Sequence, residues 1–317
     1  MKNRYCVVLI AMGGPERLED IRPYLYNIFS DRAIIRLPGG PLFQRPFARL
    51  IARLRYKKVQ SHYALIGGRS PLLAWSEVQA AHLETFLKAD DPGVKCYVGM
   101  RYFRPYIDDV IRQAYQDGHR RFCFVPMYPQ YSTATTGSSY TVAAVALSRL
   151  SDVQATFVKD FHDNEGYIRV LRRYISDNIR PDEVLLYSAH SLPQKFVQEG
   201  DPYVDQIMRT ARLASLGRPY HVSFQSRTGP VKWVGPDTVA EVTRLLADPS
   251  QRLFIVPIAF VCDHIETMYE LDIELKSLVP PGGADRIRRM PMFNDDPALA
   301  QALAGIVRER MMSHVEV

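Results

Sequence analysis

The sequence predicts an α/β fold with two similar lobes, each a parallel sheet flanked by helices. Apolar runs rich in β-branched residues alternate with amphipathic stretches along the 317 residues. Most of these runs are continuous, which is typical of parallel strands buried on both faces. Similar sequence blocks also occur in the same order in the two halves of the chain. The first half has VVLIAMGGP, VGMRY and FVPMYPQYS, and the second has VLLYSAHSLP, SFQSR and FIVPIAFVCDH. We therefore expect two Rossmann-like lobes with a cleft between them, at the carboxyl ends of the strands.

The same patterns predict the individual elements. The expected strands are Cys6–Met12, Lys95–Met100, Phe122–Met127, Gln154–Val158, Val184–Ser188, His221–Phe224 and Phe254–Phe260. The expected helices between them are Ser76–Lys88, Tyr106–Asp117, Tyr167–Asn178 and Pro236–Ala247, with a closing helix at about 298–312. Lobe 1 should cover about 1–150 and carry an insertion at about 32–69, and lobe 2 should cover about 151–298.

Composition narrows the class of protein. Apolar residues make up 47% of the chain and charged residues 23%, as in a globular protein. The apolar runs are shorter than the ~20 residues that a spanning helix needs. The four cysteines form no CxxC pair, which argues against a disulfide framework or a zinc knuckle. The first apolar run lacks a signal-peptide cleavage site, so we expect a cytoplasmic protein. We find no nucleic-acid-binding motif and expect no such partner.

The net charge of +6 is concentrated in one segment, between Arg32 and Ser76, which holds nine basic residues and no Asp or Glu. Apolar residues interrupt the positive charges there. Together they form a surface that we call the lip: Leu37, Leu42, Phe43, Phe47, Leu50, Ile51 and Leu54. An apolar helix with many cations can lie on an anionic membrane. The alternative is a surface helix packed on its own lobe.

Two stretches carry the residues suited to chemistry, and each begins as an apolar strand. The first, Leu185–Tyr203, ends its strand at His190, whose imidazole can bind iron or accept a proton. In the second, Ile255–Glu274, the strand is followed by a series of polar side chains: Asp263, His264, Glu266, Glu270 and Glu274. The three glutamates share one helix face without a neighbouring cation, so they should raise each other's pKa. A structural histidine and a solvated helix face remain the alternatives.

Several blocks of the sequence resemble the ferrochelatase family, in the order of that family and across nearly the whole chain. These blocks are LIAMGGPE (9–16), IGGRSPL (66–72), MRYFRP (100–105), YPQYSTATTGSS (128–139), LLYSAHSLP…GDPY (185–203), FQSRTGPVKWVGPDT (224–238) and VPIAFVCDHIETMYELDIE (256–274). The resemblance implies a lyase that inserts Fe²⁺ into a porphyrin, giving haem and two protons.

The resemblance also implies roles for individual residues. His190 and Glu266 match the catalytic pair that receives the metal, with His190 as the base for the pyrrole protons. The residues that match an acidic path from that pair are Asp263, His264, Glu270 and Glu274. The residues that match the porphyrin-binding cleft are Met12, Ser70, Arg101, Tyr102, Tyr131, Ser132 and Trp233. The lip matches the hydrophobic edge of the cleft that meets the membrane.

The long apolar lip favours protoporphyrin IX as the substrate. The alternatives are coproporphyrin III, a sister cobalt or nickel tetrapyrrole chelatase, and a non-catalytic haem or iron carrier. No cysteine follows Cys262, so we expect no [2Fe–2S] cluster and no permanently bound cofactor. The family's C-terminal dimerisation extension is also missing, which favours a monomer. The expected location is the cytoplasm, with peripheral contact to the inner face of the membrane.

Overall fold

The computed structural model describes residues 5–37, 39–229 and 231–312, which form two compact units. Unit 1 contains the chain up to Tyr128, the segment Ser132–Asp160 and the chain from Asn294 onward. Unit 2 contains Pro129–Tyr131 and Phe161–Phe293. Within the described residues, no helix is both long and apolar enough to span a membrane.

Each unit is built on a parallel sheet. The strands of unit 1 are β1 (Tyr5–Ala11), β2 (Lys95–Met100), β3 (Arg121–Pro126) and β4 (Gln154–Phe157), in the order β2-β1-β3-β4. The strands of unit 2 are β5 (Glu183–His190), β6 (Tyr220–Gln225), β7 (Arg252–Pro257) and β8 (Ile287–Arg289), in the order β6-β5-β7-β8. The two units thus share one strand order, which confirms the internal repeat and the α/β class.

The helices lie between these strands. They are α1 (Ile21–Ser30), α2 (Gly40–Leu65), α3 (Leu72–Lys88), α4 (Ile107–Gln116), α5 (Ser138–Leu147), α6 (Glu165–Asn178), α7 (Gln194–Gln198), α8 (Tyr203–Ala214), α9 (Thr238–Leu245), α10 (Leu275–Leu278) and α11 (Pro297–Met312). One π-helical segment follows the third strand of each unit. These segments are π1 (Thr133–Gly137) in unit 1 and π2 (Glu266–Glu274) in unit 2. Segments of this kind are rare and often lie at functional sites.

The predicted strands are all present, with two differences. The strand expected at Phe254–Phe260 ends at Pro257, because the proline cannot continue the ladder as a donor and the chain turns away after it. The short strand β8 was not predicted, because its three residues, IRR, carry two charges and no alternating pattern.

The hydrophobic core of unit 2 positions π2. Leu271 of π2 is 3% exposed and packs in a cluster with Leu186, Val242 and Ile255 from the sheet and α9. Leu275, at the start of α10, is buried in the same cluster. The apolar side of π2 is therefore held on the sheet, and its first residue, Glu266, reaches the carboxyl end of β5.

Candidate active site

His190 and Glu266 are in direct contact in unit 2. His190 is the last residue of β5, and Glu266 is the first residue of π2. Nδ1 of His190 lies 2.9 Å from Oε2 of Glu266. The hydroxyl of Tyr203 donates to the backbone oxygen of His190 at 3.1 Å and so holds the end of the strand. The glutamate side chain is 11% exposed and the histidine side chain 39%, so this pair is open to a ligand on the histidine side.

The contact moves both pKa values. Partial burial lowers the pKa of His190, but the charge and hydrogen bond of Glu266, with Glu270 nearby, outweigh it and hold this pKa above its ordinary value. Burial raises the pKa of Glu266, but His190 and then His264 outweigh that effect and hold it below its ordinary value. The contact therefore favours the protonated histidine and the ionised glutamate together.

Glu270 lies one turn further along π2 and is held by two donors. Ser226 donates its hydroxyl to Oε2 of Glu270, and Nε2 of Gln225 donates to the same oxygen at 3.3 Å. Burial and the negative charge of Glu266 raise the pKa of Glu270 to about 8. Glu270 therefore holds a proton near neutral pH beside a glutamate that does not.

A buried chain of hydroxyl groups orients Gln225. Ser188 donates to Oε1 of Gln225 at 2.5 Å and also lies 3.1 Å from the hydroxyl of Thr238. Thr238 in turn donates to Ser223 at 3.0 Å. Because Oε1 of Gln225 accepts from Ser188, its Nε2 is directed at Glu270 and at the backbone oxygen of Glu266, 3.3 Å away.

His264 stands on the other side of Glu266. Its Nδ1 donates to the backbone oxygen of Cys262 at 3.2 Å, and its Nε2 lies 3.8 Å from Oε1 of Glu266. Burial lowers the pKa of His264, so the ring is neutral. Within the described part of the chain, Nε2 has no hydrogen-bond partner, which leaves its lone pair facing the glutamate.

The other two residues predicted for an acidic path, Asp263 and Glu274, lie at the two ends of the same segment. Asp263 accepts from Thr267 at 2.8 Å and forms an ion pair with Arg289 at 3.2 Å. Glu274, at the end of π2, accepts from the hydroxyl of Tyr269 at 3.5 Å. Among residues 5–37, 39–229 and 231–312, no three His, Cys, Asp or Glu side chains form a ready-made metal cluster.

Arg101 and Tyr102 meet on one carboxylate in unit 1. Asp31 accepts from Nη2 of Arg101 at 2.7 Å and from the hydroxyl of Tyr102 at 2.7 Å. Ser138 also donates to Asp31 and accepts from Nε of Arg101 at 2.8 Å. Burial raises the pKa of Asp31, but these donors outweigh it and hold the pKa below its ordinary value. Arg101 and Tyr102 thus brace the carboxyl end of β2.

The other residues assigned to the porphyrin cleft lie in both units. In unit 1, Met12 follows β1 and packs on the cluster around Tyr102. Ser70 and Ser132 are buried and accept from the backbone N–H groups two residues later. In unit 2, the backbone N–H of Tyr131 donates to Gln206 at 2.7 Å, and Trp233 pairs with the backbone of Pro193.

The lip lies on α2 and the loop before it. The buried side of α2, with Gln44, Ala48 and Ala52, packs against α1. The lip residues Leu42, Phe43, Phe47, Leu50 and Leu54 are exposed by 80%, 49%, 37%, 51% and 72%, whereas Leu37 and Ile51 are half-buried. The exposed arginines Arg45, Arg49 and Arg53 lie on the same helix.

Several site residues could not be found from the sequence. Asp31, Ser188, Gln225 and Arg289 act through partners far along the chain, and none sits in a metal-ligand pattern. Ser226 offered one signal, because it lies two residues after the end of a predicted strand. Its φ of +66°, in the left-handed region, turns its hydroxyl to Glu270.

Comparison with known proteins agrees with this geometry. A family model described as Ferrochelatase matches residues 4–311. The chain is 41% identical over 322 residues to a ferrochelatase from Geobacter metallireducens, covering 98% of this chain and 100% of the relative. It is 39% identical over 322 residues to a ferrochelatase from Synechocystis sp., covering 98% of this chain and 83% of the relative.

Solved structures with the same fold are more distant in sequence. SirB from Bacillus subtilis with Fe³⁺ has a TM-score of 0.58 at 15% identity, covering 99% of this chain and 98% of that one. The sirohydrochlorin chelatase SirB from Bacillus subtilis subspecies spizizenii, in complex with cobalt, has a TM-score of 0.54 at 14% identity, covering 97% and 95%. At these identities the likeness shows the fold alone. The sequence matches decide the family, and the chain therefore belongs to the ferrochelatase family, whose enzymes insert ferrous iron into a porphyrin in haem biosynthesis.

Proposed function

We propose that the protein inserts Fe²⁺ into protoporphyrin IX, with His190 and Glu266 as the catalytic pair that receives the metal. The observation that carries this proposal is the 2.9 Å contact between them at the carboxyl end of β5. Parallel sheets of this kind bind their ligands at that end. A neutral imidazole and a carboxylate are both ligands that iron accepts in proteins.

The contact also gives His190 a defined role as a base. With Nδ1 donating to Glu266, the neutral ring carries its lone pair on Nε2, which is free to take a proton or bind the metal. The porphyrin loses two pyrrole protons as Fe²⁺ takes their place, so charge is conserved if both protons leave. A neutral His190 can take one of these protons directly, and a protonated His190 must first release its own. The incoming metal favours that loss, because its charge opposes the imidazolium.

Glu270 is suited to pass those protons on. Its raised pKa of about 8 lies close to the operating pH, where a carboxyl group can both take up and release a proton. Glu274 lies one further turn along π2 and is half-buried. We propose that Asp263, His264, Glu270 and Glu274 form the acidic path, with His264 offering its unpaired Nε2 to the metal beside Glu266.

The porphyrin-binding roles of Met12, Ser70, Arg101, Tyr102, Tyr131, Ser132 and Trp233 remain proposals based on the family resemblance. Met12 and Tyr131 are the best supported by their own geometry, because both are half-buried and follow directly on strand ends or turns. Arg101 and Tyr102 would act indirectly, since Asp31 already holds their polar groups.

Membrane contact through the lip is supported by exposure and charge. Leu42 and Leu54 are 80% and 72% exposed on a helix that also exposes Arg45 and Arg53. Exposed apolar side chains beside cations suit an anionic bilayer surface. An apolar lip also suits the two vinyl groups of protoporphyrin IX better than the extra carboxylates of coproporphyrin III. We propose the cytoplasmic face of the membrane as the place of action.

No permanently bound cofactor is required by the proposal. Burial raises the pKa of Cys123 to about 12 and also raises the pKa values of Cys6, Cys96 and Cys262. Thiolates are the ligands of iron–sulfur clusters, so raised thiol pKa values disfavour cluster binding. The monomeric state stays a prediction that light scattering can measure.

The experiment is an anaerobic assay with Fe²⁺ and either protoporphyrin IX or coproporphyrin III, followed by the loss of porphyrin fluorescence. We expect faster metallation of protoporphyrin IX, and its abolition in His190→Ala with porphyrin binding retained. The matched control is His221→Ala, because His221 also contacts a glutamate, Glu241, at 3.3 Å and is similarly exposed. Binding of both porphyrins without metallation would instead identify a carrier. Faster turnover of coproporphyrin III would reverse the substrate assignment.

A further inference from the structure

Arg289 binds two carboxylates, those of Asp263 and Asp272, which come before and after Glu266 in the sequence. It is the last residue of β8, and its side chain is 14% exposed. Nε and Nη2 donate to the two oxygens of Asp272 at 2.9 and 2.8 Å, which is a bidentate pair. Nη2 also lies 3.2 Å from Oδ1 of Asp263, and Nη1 donates to the backbone oxygen of Met290 at 3.0 Å.

The two aspartates flank Glu266 and Glu270 in the chain. Asp263 lies three residues before Glu266, and Asp272 lies within π2, six residues after it. Arg289 thus holds both ends of the segment that carries Glu266 and Glu270. The planar guanidinium fixes angle as well as distance, because it donates to Asp272 through two parallel bonds.

A π-helical segment needs such a restraint more than an α-helix does. Its hydrogen-bonding pattern is rare, and it persists where the surrounding structure enforces it. Sheet packing through Leu271 holds one side of π2. Arg289 adds a polar restraint from the edge strand, and Thr267 links Asp263 back to π2 at 2.8 Å.

We propose that Arg289 is a positioning residue for metal insertion, which sets the place of Glu266 against His190 by tying Asp263 to Asp272. This inference rests on the proposed function of the His190–Glu266 pair. Arg289 does not touch the reacting atoms and acts through π2. A displacement of about 1 Å in a catalytic group can lower turnover by about a hundredfold.

The neighbouring residue provides a matched control in the same strand. Nη1 of Arg288 donates to both oxygens of Glu183 at 3.0 Å, and Nη2 donates to the backbone oxygen of Asn178 at 3.0 Å. These partners lie at the start of β5 and the end of α6, away from π2. Loss of Arg288 therefore removes a comparable ion pair without releasing the catalytic segment.

The experiment compares Arg289→Met, Arg289→Lys and Arg288→Met in the full chain, with the active fraction determined by porphyrin titration. For Arg289→Met we expect a fall in kcat of about ten- to a hundredfold and a higher KM for Fe²⁺, with an unchanged KM for the porphyrin. Arg289→Lys keeps the charge without the bidentate geometry and should recover only part of kcat. Arg288→Met should lower the melting temperature and leave kcat per active molecule unchanged.

A second variant tests whether the effect passes through Asp272. Asp272→Asn should lower kcat as Arg289→Met does, and the double variant should be no worse than the more impaired single variant, because the two residues act as one unit. Wild-type kcat and KM for Fe²⁺ in folded Arg289→Met would overturn the inference while leaving the catalytic pair in place. Inactivity of the wild-type protein would instead reject the proposed function.

Discussion

Oε2 of Glu266 lies 2.9 Å from Nδ1 of His190, and this contact moves the pKa values of the two residues in opposite directions. The pKa of the histidine is raised and that of the glutamate is lowered. Each charge therefore stabilises the other in a partly enclosed site. In the proposed reaction, Fe²⁺ could bind His190 only through a nitrogen that carries no proton, so a protonated ring would first have to release one.

Replacing Glu266 by glutamine should lower the pKa of His190. Burial alone lowers that pKa, and the charge of Glu266 is the largest opposing effect, so its removal should bring the histidine below its ordinary value. NMR titration of the His190 ring protons measures the shift. Glu274→Gln is the control, since Glu274 is not among the groups that move this pKa. An unchanged His190 pKa in Glu266→Gln would show that the ion pair does not form in solution.

Replacing Ser226 by alanine should raise the pKa of Glu270 further above about 8. Burial and Glu266 raise this pKa, whereas the hydrogen bond from Ser226 lowers it by stabilising the carboxylate. If proton release through Glu270 limits turnover, the rise of kcat with pH should move to more alkaline pH in this variant. The pH profile of kcat measures this, with Ser277→Ala as the control because the hydroxyl of Ser277 donates to the backbone oxygen of Glu274 and not to a carboxylate. A profile that stays in place would exclude Glu270 from the rate-limiting proton transfer.

The sequence was sufficient to predict the architecture, because strands buried on both faces must be continuous apolar runs. It also predicted that His190 and Glu266, each following an apolar strand, lie close together, and the two do meet, although Glu266 lies on π2 and not at the strand end. It did not distinguish π2 from an α-helix, since a spacing of four residues keeps Glu266, Glu270 and Glu274 on neighbouring turns in either helix.

The contacts that hold the site together could not be predicted. Arg289 meets its partners 17 and 26 residues away, through a three-residue edge strand that has no strand-like pattern. Gln225 depends on the hydroxyl of Ser188, 37 residues earlier. Such polar partners are set by tertiary packing, and a single sequence contains no periodic signal for them.

Replacing Asp31 by asparagine should destabilise unit 1. Asp31 is 10% exposed and accepts hydrogen bonds from Arg101, Tyr102 and Ser138, so the neutral variant loses charge-assisted bonds worth about 1.5–3 kcal/mol each. Urea unfolding at neutral pH measures the loss of free energy of unfolding. Asp182→Asn is the control, because its ion pair with Arg252 is exposed and should be worth no more than about 1 kcal/mol.

The contribution of Asp31 to the free energy of unfolding should decrease as the pH falls into the acid range. Its pKa is lowered in the folded protein, so its stabilisation is fully present above the unfolded value of about 3.9. The stabilisation is lost as the pH falls through the lowered folded value. The wild-type protein and Asp31→Asn should therefore converge in stability at acid pH. A difference that persists unchanged in acid would show that the effect is steric.

Replacing Leu42 and Leu54 by serine should weaken membrane binding without lowering stability. Their exposures of 80% and 72% mean that the folded protein gains little from them in water. Full burial of a leucine in an apolar phase contributes about 1.5–3 kcal/mol, so loss of both should reduce vesicle binding by more than about tenfold. Co-sedimentation with vesicles that contain anionic phospholipid measures this.

The control for the lip is Leu278→Ser, because Leu278 is a leucine of 56% exposure in unit 2. It should bind vesicles as the wild-type protein does. Salt separates the two contributions, since screening weakens the attraction of Arg45, Arg49 and Arg53 to anionic lipid and leaves apolar insertion in place. Added salt should therefore lower vesicle binding of the wild-type protein only in part. In the double serine variant, which lacks the apolar insertion, added salt should lower vesicle binding to the baseline. Equal binding of the double variant and the wild-type protein would place the membrane contact elsewhere on the surface.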